Sequence, residues 1–262
     1  MLNGSSKLHS ETVEITYPLK NGKEIIAVEN FNMTVEEGEF VCIVGPSGCG
    51  KSTLLGAVAG FQEISNGKLF LNGKEIKGAG RDRGVVFQQA SLFPWRTAID
   101  NIVYGLEIAG VSKKERYAKG EELLQLVGLE SFANHYPNQL SGGMQQRVNV
   151  ARALAIEPSL MLLDEPFGAL DAQTREFMQL ELLRIWKATN QTILFVTHDI
   201  AEAVYLSNYV IVMTARPGTV LEKVEIDLPR PRPLEIKRSN EFIEYEKYIW
   251  DLIVTEKQKK VI

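Results

Sequence analysis

The chain has 262 residues, with Lys+Arg 29 against Asp+Glu 33 and a formal net charge of -4. Nucleic-acid binders usually carry a basic surface, so this balance disfavours that class. Hydrophobic residues make up 45% of the chain, which is enough to bury a core and excludes global disorder. The apolar runs are too short to span a bilayer, and the N-terminus carries no recognisable secretion or myristoylation signal, so we expect a cytosolic protein. Cys42 and Cys49 are too few for a disulfide framework and are expected to pack in a core.

The first part of the chain, from about Glu11 to Gly38, is predicted to form antiparallel hairpins. Asn21-Gly22 is a turn signal within this part, and Asn72-Gly73 marks a further hairpin downstream. Strand-like alternation of apolar residues runs through Phe31, Met33 and Val35.

Short continuous apolar runs recur along the rest of the chain and predict strands that are covered on both faces, as in a parallel sheet. Helical patterns fall between most of these runs, which favours an α/β domain with ligands at the carboxyl ends of the strands. The runs are Phe40 to Val44, Val85 to Phe87, Leu160 to Leu163, Ile193 to Val196 and Val210 to Met213.

From Pro94 to Pro158 the strand pattern gives way to helix signals. Ser112 and Glu115 fit a capping box, and Gly128 stands where a helix C-terminal cap belongs. We therefore predict a helical subdomain inserted into the sheet domain.

The chain ends with a proline-rich segment and a last amphipathic helix. The apolar face of that helix is predicted from a helical spacing, and a surface helix packed on the core is the plain interpretation. A regulatory contact is the alternative. The predicted face consists of Phe242, Tyr245, Ile249 and Leu252.

The sequence from Gly45 to Ser52, GPSGCGKS, matches the phosphate-binding P-loop pattern between a strand and a helix. Glycines allow backbone N–H groups to turn toward a phosphate, and the helix N-terminus adds partial positive charge. Lys51 would neutralise the terminal phosphates, and the Ser52 hydroxyl can ligate Mg²⁺.

An acidic motif follows the predicted strand Leu160 to Leu163. Its residues Asp164 and Glu165 resemble a Walker B segment. Asp164 would hold Mg²⁺, and Glu165 would polarise the water that attacks the γ-phosphate. A strand that ends in solvated carboxylates is the alternative interpretation.

The segment from Leu140 to Arg147, LSGGMQQR, leads into a helix that Ser141 can cap. Together with the P-loop, this segment resembles the signature of the ATP-binding cassette family, with Met144 at the position of its usual Gln. The resemblance covers nearly the whole chain. It implies a P-loop NTPase fold, α/β, with a RecA-like parallel-sheet core, an antiparallel β-subdomain and an inserted helical subdomain.

The resemblance also implies domain boundaries and further site residues. The β-subdomain with the first part of the core would be 1–92, the inserted helical subdomain 93–158, the second part of the core 159–228 and the C-terminal segment 229–262. Gln88 would be the Q-loop glutamine, Asp171 would belong to the D-loop that here begins with Gly168 instead of the more frequent Ser, and His198 would be the switch histidine. Tyr17 would stack on adenine, with an ordinary hairpin tyrosine as the alternative.

The complete set of predicted site residues has three overlapping groups. Nucleotide contacts are assigned to Tyr17, Gly45, Pro46, Ser47, Gly48, Cys49, Gly50, Lys51, Ser52, Thr53, Ser141, Gly142, Gly143 and Asp171. Catalysis is assigned to Glu165, His198, Gln88 and Lys51. The Mg²⁺ ligands are Ser52, Gln88 and Asp164.

By resemblance, the chain would act as an ATPase in a homodimer that sandwiches two ATP molecules with Mg²⁺, facing Ser141 of one copy toward Lys51 of the other. Membrane permease subunits would dock at Ser91 to Arg96, on the cytoplasmic face of the membrane, with a solute-binding protein as an indirect partner and no nucleic acid. For Phe93 and Trp95, packing between subdomains is the alternative.

Three segments resemble the importer ATPases for nitrate, sulfonate, taurine, bicarbonate and thiamine precursors. The alternatives are a non-transport cassette ATPase acting on nucleic acid or ribosomes and a simple P-loop kinase or GTPase. The segments are Leu92 to Thr97, Ala215 to Gly218 and Ile226 to Arg232.

Overall fold

The structure, a computed structural model, describes residues 6–19 and 22–259. Asn21 of the predicted turn lies outside these residues. The elements, in chain order, are β1 Ser6–Pro18, β2 Glu24–Glu36, β3 Phe40–Val44, α1 Lys51–Ala59, β4 Asn66–Leu71, β5 Lys74–Glu75, β6 Arg83–Val86, α2 Ala98–Ile102, α3 Tyr104–Ile108, α4 Lys113–Leu126, α5 Gly142–Ala155, β7 Leu160–Asp164, α6 Ala172–Thr189, β8 Ile193–Val196, α7 Ile200–Leu206, β9 Tyr209–Met213, β10 Val220–Glu225 and α8 Asn240–Lys259.

The chain divides into two compact units. The second unit is Arg81–Gln191, and the first unit is formed by the segments on either side of it. This second unit is broader than the predicted helical insertion at 93–158, because it also contains β6, β7 and α6.

The first unit contains an antiparallel sheet with the strand order β2-β1-β4-β5. Alternate residues of β1 and β2 are buried, among them Ile15 and the predicted Phe31, Met33 and Val35. Asn72 and Gly73 both have positive φ, 51° and 71°, as a tight hairpin turn between β4 and β5 requires. The predicted hairpins are confirmed.

The same unit contains a parallel group in which β3 lies between β8 and β9. Every residue of these three strands is buried, which explains why their sequences are continuous apolar runs rather than alternating ones. β10 pairs antiparallel with β9 at the outer side. The prediction of strands covered on both faces is confirmed here.

The second unit combines the parallel pair β6 and β7 with helices. Ser112 caps α4, because its Oγ accepts from the Glu115 amide at 3.3 Å, and Gly128 follows that helix with φ 64°. The Ser112 N-cap and the position of Gly128 at the helix end are confirmed, and the Glu115 carboxylate accepts from the Ser112 hydroxyl at 2.6 Å. No strand occurs between Pro94 and Pro158.

The C-terminal helix α8 packs against α7 and β9 of the first unit. Phe242 and Ile249 are buried as predicted, while Tyr245 and Leu252 are half-buried. Ile253, which the predicted spacing left out, is buried as well. Among the helices of the described ranges, none is both long and apolar enough to cross a membrane.

Candidate nucleotide-binding site

The P-loop connects β3 to α1 in the first unit, and its glycines are required by its backbone. Gly50 is the N-cap of α1 with φ 101°, and a Cβ on it would lie 2.8 Å from the Ala27 carbonyl oxygen. No side chain caps α1, and its first turn holds no acidic residue. The N–H groups at this positive helix end are therefore suited to an anion such as phosphate.

Lys51 is buried in the P-loop, with 7% of its surface exposed. Its ammonium donates to the carbonyl oxygens of Gly45, at 2.8 Å, and Pro46, at 3.2 Å. The Cys49 amide also donates to the Pro46 carbonyl, at 3.2 Å. Lys51 and Cys49 thus both bind carbonyl oxygens of the loop itself in this structure.

Arg216, in the segment Ala215 to Gly218, is a neighbour of the P-loop. Its Nε donates to the Gly48 carbonyl at 3.2 Å. The same loop approaches the P-loop closely, because a Cβ on Gly218 would lie 2.0 Å from the Cys49 carbonyl oxygen. The signal that could have identified this contact is the Arg-Pro-Gly turn directly after the buried strand β9.

Tyr17 lies at the end of β1 beside α1. Its hydroxyl donates to Thr53 Oγ1 and Gln62 Oε1, both at 3.3 Å, while 37% of the residue is exposed. The first unit thus brings Tyr17 to the helix that follows the P-loop and leaves part of its ring available to a ligand.

His198 follows the buried strand β8 and is exposed. The turn around it is held firmly, since the Thr197 hydroxyl donates to Glu202 Oε2 at 2.5 Å. Asp199 caps α7 by accepting from the Glu202 amide at 3.0 Å. The imidazole therefore projects from a fixed strand-to-helix turn.

In the second unit, Asp164 ends β7 and Glu165 follows with φ 44°. A left-handed conformation is uncommon for a residue with a β-carbon and often marks a functional site. The Glu165 carbonyl accepts from the Gly168 amide at 3.0 Å, which fixes the turn. Both carboxylates are half-buried at the carboxyl end of the strand, as predicted from the motif.

Gln88 lies against the D-loop in this unit. Its Nε2 is 2.9 Å from the position that a Cβ on Gly168 would occupy. A side chain at position 168 would require the exposed end of Gln88 to shift.

Asp171 is the N-cap of α6. Its carboxylate accepts from the Thr174 amide at 3.0 Å and from the Thr174 hydroxyl at 2.6 Å, and these bonds lower the pKa of Asp171. The residue therefore has a structural partner within the chain in addition to the nucleotide role assigned from the motif.

The signature segment begins α5, and the predicted cap is confirmed: Ser141 Oγ accepts from the Met144 amide at 3.3 Å. A Cβ on Gly143 would lie 2.8 Å from Thr174 Cγ2, so glycine permits close packing of α5 on α6. Ser141 and Gly142 are exposed at the helix N-terminus, where amide groups can face an anion.

The signature helix also holds the segment after Gln88. Arg152 donates to the carbonyl oxygens of Ser91, at 3.0 Å, and Ala90, at 3.1 Å, and burial lowers its pKa. The Gln146 amide donates to the Phe87 carbonyl at 3.4 Å. These contacts join the Q-loop to α5. They could not be predicted from the sequence, because their acceptors are backbone carbonyls that no motif encodes.

The predicted docking segment is built on aromatic contacts. Phe93 packs on Tyr104, with ring centroids 4.6 Å apart, and the Arg152 guanidinium lies 6.0 Å from its ring centroid. Trp95 is 71% exposed although it touches Phe93. Packing therefore accounts for Phe93, whereas Trp95 offers a free apolar surface.

The predicted oxygen ligands of Mg²⁺ are the hydroxyl of the exposed Ser52, the side-chain amide oxygen of Gln88 and the Asp164 carboxylate. Oxygen donors of this kind, with phosphate oxygens, are the ligands that Mg²⁺ prefers. Within the described residues, no three His, Cys, Asp or Glu side chains gather to form a metal site without phosphates.

Comparison with known proteins decides the family. The family model described as ABC transporter matches residues 28–168 of the chain. The chain belongs to the ABC transporter family. An ABC transporter ATP-binding protein from Methanocaldococcus jannaschii is 52% identical over 92% of this chain and 89% of its own length.

Two further relatives are named for import. The taurine import ATP-binding protein of Rhizobium johnstonii is 47% identical, covering 85% of both chains. The nitrate import ATP-binding protein of Synechocystis is 46% identical over 87% of this chain and 88% of its own length.

Solved structures agree with the family assignment. A dimeric ATP-binding cassette in a post-hydrolysis state, bound to ADP and Pi, superposes with a TM-score of 0.73 at 35% identity, covering 85% of this chain and 100% of the other. CbiO1 from Clostridium perfringens gives 0.77 at 26% identity, over 92% and 94% of the two chains. The ABC chain is thus an ATPase with a parallel-sheet core and surrounding helices, as the sequence predicted.

Proposed function

We propose that this chain is the ATP-hydrolysing subunit of an importer for a small solute of the nitrate, sulfonate, taurine, bicarbonate or thiamine-precursor type. The observation that carries the proposal is the identity of 46–47% to taurine and nitrate import subunits over 85% or more of each chain. This similarity includes the P-loop, whose uncapped helix and buried Lys51 are suited to a triphosphate.

The proposed roles follow the motifs. Lys51 and the α1 amides bind the phosphates of ATP, and Tyr17 stacks on the adenine. Ser52, Asp164 and Gln88 would hold Mg²⁺, which would neutralise phosphate charge when bound. Glu165 accepts a proton from the attacking water, and His198 contacts the γ-phosphate.

We further propose a homodimer with composite sites. Ser141 and the amides of Gly142 and Gly143 from one copy face the γ-phosphate that Lys51 of the other copy holds, with Asp171 at the interface. Each contact to the γ-phosphate is charge-assisted and lost after hydrolysis, so ATP would favour closure and ADP opening. The related dimeric cassette bound to ADP and Pi supports this arrangement.

The proposed partner is a membrane permease, which places the subunit on the cytoplasmic face of the membrane. An amphipathic helix of the permease would bury Trp95, because an exposed indole next to packed aromatics is a favourable anchor for a helix. Trp95→Ala should abolish co-purification with the permease while ATP binding persists. Ile108→Ala is the matched control, since Ile108 is 65% exposed in the same unit.

The complete function is tested by reconstituting the subunit in proteoliposomes with a candidate permease and a solute-binding protein. We expect MgATP-dependent uptake of one of the named solutes and permease-dependent stimulation of ATP hydrolysis. Hydrolysis that responds to nucleic acid or ribosomes, with no uptake, would instead favour a non-transport cassette ATPase.

A further inference from the structure

Two arginines from the proline-rich segment near the C-terminus contact the C-terminal end of α7, the short helix that follows His198. Arg232 donates to the carbonyl oxygens of Val204, at 3.0 Å, Tyr205, at 3.0 Å, and Ser207, at 2.8 Å. Arg230 donates to the Leu206 carbonyl at 2.8 Å. The last-turn carbonyls, which a helix cannot satisfy internally, thus receive charged donors.

Arg232 also ties its own segment together. Its second terminal nitrogen donates to the carbonyls of Ile226, at 3.2 Å, and Leu228, at 3.3 Å, and the Tyr205 hydroxyl donates back to the Arg232 carbonyl at 2.8 Å. We call the segment Ile226 to Arg232 the strap. The strap and the helix end are therefore joined in both directions.

These contacts are made in the interior. Arg232 is 4% exposed, and burial together with the nearby Arg230 lowers its pKa to about 10, so it remains a cation at neutral pH. Two cations at the negative end of a helix dipole stabilise that end. The planar guanidinium donates at once to carbonyls of α7 and to carbonyls of the strap. A lysine ammonium lacks this forked arrangement of donors.

The other end of α7 is fixed by Asp199, the residue after His198. α7 has seven residues, which is about two turns, and packs against β3 and β9. In so short a helix, we expect a displacement of the C-terminal end to move the turn that presents the imidazole as well. Helix α8 packs on the same helix, and burial and Asp199 raise the pKa of Glu246 on α8.

We propose that Arg232 is a positioning residue for His198: through the strap it fixes α7 and thereby the placement of the switch imidazole against the γ-phosphate. The inference rests on the proposed role of His198. It assigns a function to the Ile226 to Arg232 motif, which the importer resemblance marked without a role. Arg232 itself touches no nucleotide in this proposal.

The test compares Arg232→Lys with the unchanged subunit, both assembled with the permease. We expect kcat for ATP hydrolysis to fall about 10- to 100-fold, because a small displacement of a catalytic group has effects of this size. The KM for ATP and the affinity for a non-hydrolysable ATP analogue should stay within about twofold, since the P-loop is untouched. Arg238→Lys is the matched control, as Arg238 is exposed on the next turn of the chain, and it should leave kcat unchanged.

Two further variants make the result decisive. Arg230→Gln removes the guanidinium that donates to the Leu206 carbonyl. It should lower kcat as well, by a smaller factor than Arg232→Lys. If Arg232→Lys does not fold, Arg230→Gln tests the positioning role in its place. His198→Ala tests the underlying proposal: if it keeps full kcat, the role of His198 fails. Two outcomes refute the positioning role of Arg232, provided that His198→Ala loses kcat. In the first, the folded arginine variants keep full kcat. In the second, their affinity for nucleotide falls by the same factor as their kcat.

Discussion

Asn101 determines the shape of the docking segment, and its replacement by alanine should have a measurable cost. The residue is fully buried. Its Nδ2 donates to the carbonyls of Phe93, at 3.2 Å, Arg96, at 3.1 Å, and Thr97, at 2.9 Å, and its Oδ1 accepts from the Phe93 amide at 2.8 Å. Because the Nδ2 group has two protons for three acceptors, the contacts amount to about three full bonds of roughly 0.5–1.5 kcal/mol net each, which gives about 1.5–4.5 kcal/mol. We expect a loss of about 3 kcal/mol, because some backbone groups of the half-buried Phe93, Arg96 and Thr97 regain water as a partner.

The measurement is urea unfolding followed by circular dichroism, compared with Asn134→Ala. Asn134 is an exposed asparagine of the same unit, and its replacement should change the free energy of unfolding by less than about 0.5 kcal/mol. Because the Asn101 bonds hold the loop that presents Trp95, Asn101→Ala should also reduce stimulation of hydrolysis by the permease. A destabilisation below about 1 kcal/mol with normal stimulation would refute this reasoning.

Three further variants test the nucleotide site. Lys51→Ala should weaken MgATP binding, because the loop loses its buried cation; fluorescent-nucleotide titration measures this, and unchanged affinity would remove Lys51 from the site. Glu165→Gln should reduce hydrolysis by about 10²- to 10⁴-fold and accumulate an ATP-bound dimer in size-exclusion chromatography, whereas undiminished turnover would exclude Glu165 as the base. Ser141→Ala should lower the free energy of unfolding by about 1 kcal/mol through the lost cap and also weaken ATP-dependent dimerisation; a stability loss with normal dimerisation would leave Ser141 a cap and nothing more.

Much of the fold could be predicted because its signals are local. Ser112 and Ser141 cap helices through bonds to amides three residues ahead, so the sequence contains both partners. Asn72-Gly73 specifies its turn by backbone conformation. The buried strands were recognisable from continuous apolar runs, since strands covered on both faces tolerate few polar residues.

The alignment of the C-terminal helix was less predictable. Spacing indicated Leu252 for the buried face, yet Ile253 occupies it. A period of 3.6 residues places both residue 252 and residue 253 near the same face of the helix. Which of them is buried depends on the surface against which α8 packs, on α7 and β9. That partner is distant in sequence, so the pattern of α8 could not identify it.

The contacts that fix the functional loops were also beyond local reasoning, and they share one chemistry. Arg216 binds a P-loop carbonyl, Arg152 binds carbonyls after Gln88, and Arg232 binds carbonyls at the C-terminal end of α7. A carbonyl acceptor is present at every residue, so the sequence of an arginine's partner carries no signature.

This choice of acceptor has a consequence for substitutions of these arginines. The guanidinium groups of Arg152 and Arg232 each donate to at least two backbone carbonyls, so one side chain joins several points of the chain. Lysine keeps the charge at such positions but loses the planar fork that joins several carbonyls. Arginine-to-lysine changes at Arg152 and Arg232 should therefore disturb loop placement while net charge stays constant, which separates positioning from electrostatics in this family member.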